Sequence, residues 1–193
     1  IVTTFAVVAG FTGAQASGDM GAIPFISVLL FGLANLMADG TSMSWGSFLS
    51  IRAQKDVYRA EKAKELHEIK HAPEMEREET IEILMQKGYS LPDAQAFTKL
   101  LSKNERYWTE FMMHDELEMP NPERENALYI AIATFGSFVL FGFIPLIPYI
   151  IVPGSPRVFY LSVAFTLLAL LLLGILRWKV SHRSLIRSVA ETM

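Results

Sequence analysis

Charged side chains are confined almost entirely to one stretch of this chain. Arg52 to Glu125 holds 12 of the 17 Lys and Arg and 17 of the 20 Asp and Glu, whereas Asn126 to Leu176 holds a single charged residue, Arg157. The apolar runs on either side are long enough to cross a hydrocarbon core, and no water-soluble fold could cover them with so few charges. Pro24 to Ser50 is one such run, and it contains one carboxylate, Asp39. The expectation is an all-α membrane protein with transmembrane helices and a cytoplasmic helical insert. Four further Lys and Arg lie between Arg177 and Arg187, and basic residues mark the cytoplasmic side, so both charged regions should lie there.

Composition narrows the functional classes. Half the residues are hydrophobic and the mean hydropathy is +0.30 although 19% are charged. Cysteine is absent, which excludes disulfides and thiolate metal sites and leaves carboxylate, imidazole, thioether or backbone oxygen as metal donors. Within Arg52 to Glu125 the acids exceed the bases by 17 to 12. That surplus disfavours nucleic acid as a partner and suits cations.

The organisation follows from these patterns. Residues 1–50 should form a first, short span and a second span; 51–125 the cytoplasmic insert; 126–178 a third and fourth span; and 179–193 a cytoplasmic segment. The first span ends near Ala14, followed by a polar turn at Gln15 to Gly21. Small residues on both helices, Gly10, Gly13 and Ala14 with Gly32, Ala34, Ala38, Gly40 and Gly46, suggest that the first two spans pack as a pair. The apolar run at Ile1 is too short to cross the core alone, and Ser188 to Met193 reads as the approach to another span, so the complete protein is expected to extend at both ends. The first span would serve as the membrane signal without cleavage.

Arg52 to His71 contains neither Gly nor Pro, so the second span should continue as one long helix until Pro73. A second insert helix is expected over Met75 to Lys87, with Ile81, Leu84 and Met85 as its apolar stripe and Gly88 as its C-terminal cap. Ser90 should cap a third, and Asn104 to Met119 a fourth bearing Trp108, Phe111 and Met112. The third span, Ala127 to Val152, contains Pro145 and Pro148, which free backbone carbonyls and should kink or unwind it near its outer end. Pro153 to Arg157 is the outer turn. Val158 to Leu176 is a Leu-rich fourth span expected to face lipid.

Two clusters could carry chemistry. Glu65 with Glu68 and Glu76 with Glu79 are i, i+3 pairs on helices joined by a short connection at Pro73, so the pairs can face one another across a hairpin. Four carboxylates brought together repel, and a divalent cation removes that penalty. Solvated helix faces balanced by Lys62, Lys64, Lys70 and Arg77 are the commoner meaning of such runs. Met112-Met-His-Asp-Glu116 mixes soft and hard donors, a combination suited to Fe(II) or Mn(II) and poor for Ca or Mg, although helix spacing with Trp108 and Phe111 assigns one of the two Met to the core. Glu68-Ile-Lys-His71 is half of a di-iron carboxylate pattern that needs a second copy, so His67 and His71 read as exposed helix residues. In the membrane, Asn35, Asp39 and Met43 form a polar stripe at helical spacing. Such a stripe lines an ion route or binds a neighbouring helix. The route is favoured because this helix runs into the acidic insert.

Several stretches, in order along nearly the whole chain, resemble the vacuolar iron transporter family. They are Thr3 to Gly10, Ala38-Asp-Gly-Thr-Ser-Met-Ser-Trp-Gly46, Glu65 to Pro73, Phe111-Met-Met-His-Asp-Glu-Leu117 and Gly142-Phe-Ile-Pro-Leu-Ile-Pro-Tyr149. The resemblance implies five membrane helices, of which this chain would be a fragment lacking the fifth, a homodimer, and a cytoplasmic metal-binding domain between the second and third spans. It implies metal ligands at Glu65, Glu68, Glu76, Glu79, Met112, Met113 and Glu116, and a membrane-embedded methionine at Met43. The acid that the family places before its Thr-Thr-Phe-like stretch would precede Ile1, and Asn35 stands where plant members carry Glu, with Asp39 one turn on as a substitute. The activity implied is export of Fe2+ or Mn2+ from the cytosol in exchange for protons, across a plasma membrane in prokaryotes or a vacuolar membrane in eukaryotes, with no cofactor beyond the carried ion. Two other classes compete: a membrane-anchored ferritin-like iron oxidase or storage protein, and a membrane scaffold with an acidic docking domain.

Overall fold

A computed structural model describes residues 1–16, 25–153, 155 and 157–181. They are helical, with short 3-10 turns and connections. α1 is Val2–Ala16, α2 Phe25–His71, α3 Pro73–Gln86, α4 Leu91–Leu101, α5 Glu105–Asp115, α6 Ala127–Gly142, α7 Ile147–Ile151 and α8 Val158–Ser181; 3-10 turns span Pro122–Arg124 and Ile144–Leu146. The chain divides into a unit made of Ile1–Ser47 and Leu128–Met193 and a second unit, Phe48–Ala127. Three segments, Ile26–His71, Ala127–Ile151 and Val158–Lys179, are long and apolar enough to cross a membrane, and Val2–Ala14 is a shorter apolar helix. Gln15 and Ala16 close α1, while the remainder of the expected polar turn, Gly154 and Pro156 of the outer turn, and residues 182–193 lie outside the described residues.

In the membrane unit, Val8, Val28, Leu146 and Tyr149 form the buried centre, flanked by Phe11, Leu33 and Phe143. The first two spans do meet, Val8 and Val28 sharing the buried centre and Phe11 stacking on Phe31 with ring centroids 4.9 Å apart, but they do so through large apolar side chains rather than through the small residues. α1 rests chiefly on α8 and on the turn Ile144–Leu146, and a side chain at Gly10 or Gly13 would meet open space. The small residues of α2 instead receive the third span. A Cβ at Gly32 would lie 2.6 Å from a Leu146 methyl, and one at Gly40 would lie 3.4 Å from Phe135 and Phe138. Residue size in the sequence marks where helices approach closely; it does not say which helix approaches.

The two prolines break the third span as their chemistry requires. Helix gives way to a 3-10 turn at Ile144–Leu146 and resumes as the short α7. The carbonyl of Pro145 accepts a hydrogen bond from Ser162 Oγ at 2.7 Å, and Ser162 is fully buried. The fourth span keeps the exposed apolar face expected of it and adds a packed face that the sequence did not announce. Ser162, Thr166 and Ala169 form a buried line along α8, because the broken backbone beside it demands a donor, whereas Tyr160, Leu168 and Leu172 remain exposed. Ser162→Ala should strand the Pro145 carbonyl and cost about 1 kcal/mol, a typical value for a hydrogen bond between membrane helices. A lowered unfolding temperature of the detergent-solubilised protein would register it.

In the second unit, α2 reaches His71, and Ala72 leaves helical conformation before Pro73 opens α3 at its first position. α3 ends in a Schellman arrangement. Tyr89 N–H donates to the Leu84 carbonyl at 3.1 Å, Gly88 N–H donates to Met85 at 3.0 Å, and Gly88 takes a φ of 96°. Ser90 and Asn104 cap α4 and α5 by accepting from the N–H groups of Asp93 and Tyr107. α5 stops at Asp115 rather than Met119. The Met112 carbonyl takes both the Glu116 and Leu117 N–H groups, and Glu118 adopts a left-handed φ of 51°.

The inner face of α3 also departs from expectation. Met85 is exposed, and the buried line is Glu76, Thr80 and Leu84. Two of those three positions are polar, so a search for apolar periodicity could not find them. Ile69, Leu101, Trp108 and Met112 form the core behind this line, with Ile83 and Phe111 packed against it.

Candidate metal centre

α2 and α3 reverse direction at Ala72 and Pro73, and each carries an acid on its inner face. Glu65 is 4% exposed and Glu76 2%. Glu116 follows the end of α5 and is more exposed. Carboxylate oxygens of these three residues lie within 4.8 Å of one another, which is the reach of one cation. Glu65 Oε1 and Glu76 Oε2 are buried without a hydrogen-bond partner. A buried carboxylate oxygen left unpaired is costly, and a positive ion is the partner that satisfies several at once.

The electrostatics place two more acids within range. Burial pushes the Glu65 carboxyl from an ordinary 4.5 up to about 8, reinforced by its hydrogen bond to Glu76 and by the charges of Glu76, Glu116 and Glu68. Burial also raises Glu76, and the fields of Glu79, Glu116 and Glu68 raise it further, while its hydrogen bond from Glu65 acts the other way. Glu116 is raised by burial and then by Glu79 and Glu68, with Lys64 partly offsetting them. Lys64 Nζ stands 3.9 Å from Glu68. Glu68 and Glu79 are half-buried at the edge of the group.

The thioethers come from α5. Met112 and Met113 are both fully buried, one turn before Glu116, so the expectation that one of them serves the core understates their burial. Thr80 was not singled out from sequence, yet it organises this corner. Its hydroxyl accepts from Trp108 Nε1 at 2.8 Å and donates to the Glu76 carbonyl at 2.7 Å, and the Met112 sulfur lies 3.3 Å away. The only sequence signal for Thr80 is its position one turn after Glu76. His114 points elsewhere, exposed beside Asp115 at 3.3 Å.

The raised carboxyls have a measurable consequence. A group whose folded-state pKa exceeds its unfolded value favours the fold when protonated, so its stabilisation is complete below about 4.5 and is lost as pH rises through about 8. The metal-free protein should therefore melt at progressively lower temperature between pH 5 and pH 8. Thermal melts across that range in chelator-treated buffer would show it, and a flat profile would contradict the buried, like-charged arrangement.

In the membrane unit, Asn35 Nδ2 donates to Asp39 Oδ2 at 3.3 Å, and both residues are half-buried. Met43, one turn further on, is 53% exposed on the surface of the single chain. The next residue, Ser44, donates to the Ala131 carbonyl at 2.9 Å. Asn35 and Asp39 are thus joined directly, and Met43 continues their line outward.

Comparison with known proteins adds an independent finding. A family profile described as VIT family matches residues 1–193. The chain is 34% identical over 192 residues to "Vacuolar iron transporter 1" of Arabidopsis thaliana, covering 100% of this chain and 74% of that protein. It is 34% identical over 204 residues to "Vacuolar iron transporter" of Centaurea cyanus, covering 99% and 79%. Against "Vacuolar iron transporter 2" of Oryza sativa subsp. japonica it is 36% identical over 174 residues, covering 90% and 68%.

Proposed function

The chain belongs to the VIT family, and on that premise we propose that this integral membrane protein carries a divalent transition-metal cation, Fe2+ or Mn2+, out of the cytosol. The observation that carries the proposal is the convergence of Glu65, Glu76 and Glu116 within 4.8 Å, with two buried oxygens unpaired. Glu68, Glu79, Met112 and Met113 complete the donor set. Hard carboxylates with neighbouring thioethers favour such an ion over Ca2+ or Mg2+. The ion then passes the membrane unit along Asn35, Asp39 and Met43 in exchange for protons, with two copies of the chain pairing so that Met43 is enclosed. A carboxylate that holds either a proton or a metal is a natural exchanger.

Full-length protein in proteoliposomes tests the proposal. Radiolabelled Mn(II) should accumulate inside acidified vesicles when the insert faces the outer solution, and dissipating the pH gradient should slow uptake. Vesicles no more permeable than protein-free controls would overturn it.

The runner-up, an anchored iron oxidase, gains no specific support. The sequence contains one Glu-x-x-His, Glu68 to His71, and His71 belongs to a different grouping described below. Oxygen consumption on addition of Fe(II) would mark that activity.

A further inference from the structure

The sequence singles out His67 and His71, and the carboxylate cluster does not use them. They lie one turn apart in the last turns of α2, both exposed. Their rings are stacked with centroids 3.9 Å apart and 27° between planes. His71 Nδ1 lies 2.8 Å from the carbonyl oxygen of His67. A neutral imidazole makes that contact only with Nδ1 protonated, which leaves the Nε2 lone pair free and directed away from the backbone. This is the tautomer that metal-binding histidines commonly adopt, with the second nitrogen tied to a carbonyl.

The surroundings are compatible with a cation. At 100° per residue, the pair lies about 200 to 240° around the helix from Glu65, facing away from that buried carboxylate, while Glu68 lies about 60° from His71 between the two groups. Nearby ammonium groups are engaged with acids, Lys64 with Glu68 and Lys70 with Glu105. His71 is the final residue of α2, where the partial negative charge of the terminal carbonyls favours a bound cation. Two histidines four apart on one helical face can ligate a single metal ion, as in helical zinc motifs.

We propose that His67 and His71 form a second metal site, of imidazole type, that takes a late first-row divalent cation such as Zn2+ or Ni2+ independently of the carboxylate cluster. His71 is already held in the binding tautomer, and rotation of the exposed His67 ring brings its nitrogen alongside; water completes the coordination shell. Paired imidazoles follow the order of late-metal affinity in which Mn2+ ranks last, so the two sites would divide incoming ions by chemistry.

Calorimetry on the full chain in detergent tests this, with ZnCl2 and MnCl2 as separate titrants. The Zn(II) component should be present in the wild type and in E65Q/E76Q, and lost when H67Q or H71Q is added to E65Q/E76Q. The Mn(II) isotherm should be the same in H67Q or H71Q alone as in the wild type. Zn(II) binding unchanged when H67Q or H71Q is added to E65Q/E76Q, or absent from E65Q/E76Q itself, would overturn the proposal. Because Zn(II) is read in the E65Q/E76Q background, its failure and that of the carboxylate cluster are distinguishable.

Discussion

Glu65→Gln combined with Glu76→Gln is expected to weaken Mn(II) binding by about 100-fold or more, equivalent to about 2.7 kcal/mol, while making the metal-free protein more stable above neutral pH. The two effects have one cause. Glu65 and Glu76 are almost wholly buried, each raised by burial and by its acidic neighbours, so ionising both is unfavourable until a cation enters. Gln keeps the shape and removes the charge. Calorimetry reads the first effect and thermal melts at pH 7.5 the second. A purely structural role would give the opposite pattern, with stability falling and Mn(II) affinity following it down. Unchanged affinity in a well-folded double variant would remove the cluster from the mechanism.

Asp39→Asn combined with Met43→Ala should reduce Mn(II) uptake into proteoliposomes to the level of empty vesicles while leaving Mn(II) binding in solution intact. An acid held at membrane depth costs several kcal/mol unless it is paired or hydrated. The partner found for Asp39 is the neutral amide of Asn35, which leaves the carboxylate's charge without a counter-charge in that contact. Asn at position 39 would keep a hydrogen bond to Asn35 and abolish the charge that attracts the ion. Met43→Ala removes the soft donor one turn on, from a position largely exposed on the single chain, so the fold of each copy is left intact. Normal uptake by this pair would rule out α2 as the route.

How much of this was legible in the sequence depended on whether the signal was local. Pro73, Gly88 and Ser90 act on their own backbone, so the breaks and caps they set could be placed beforehand. The continuity of α2 followed from the absence of any breaker between Arg52 and His71. Pro145 and Pro148 announced a broken span, but the donor that relieves it, Ser162, lies 17 residues beyond Pro145 and nothing in either stretch names the other. The same limit hid the inner face of α3, where an acid and a threonine take positions normally reserved for apolar residues. Charge spacing set Glu65 and Glu76 facing one another across a hairpin, whereas their near-complete burial arises from tertiary packing that no local spacing encodes. Met112 and Met113 illustrate the converse, since helical spacing assigned one to the core and both are enclosed.

The raised carboxyl of Glu65 bears on how exchange stoichiometry should be measured. At neutral pH a group titrating near 8 is largely protonated, so a cation entering the proposed site would expel that hydrogen ion into the same solution from which the metal came. A pH electrode or indicator dye in that compartment would record acidification on mixing, before any ion has crossed the bilayer. Under the proposed exchange, the early burst would belong to docking, and only the slower change that follows would count toward antiport.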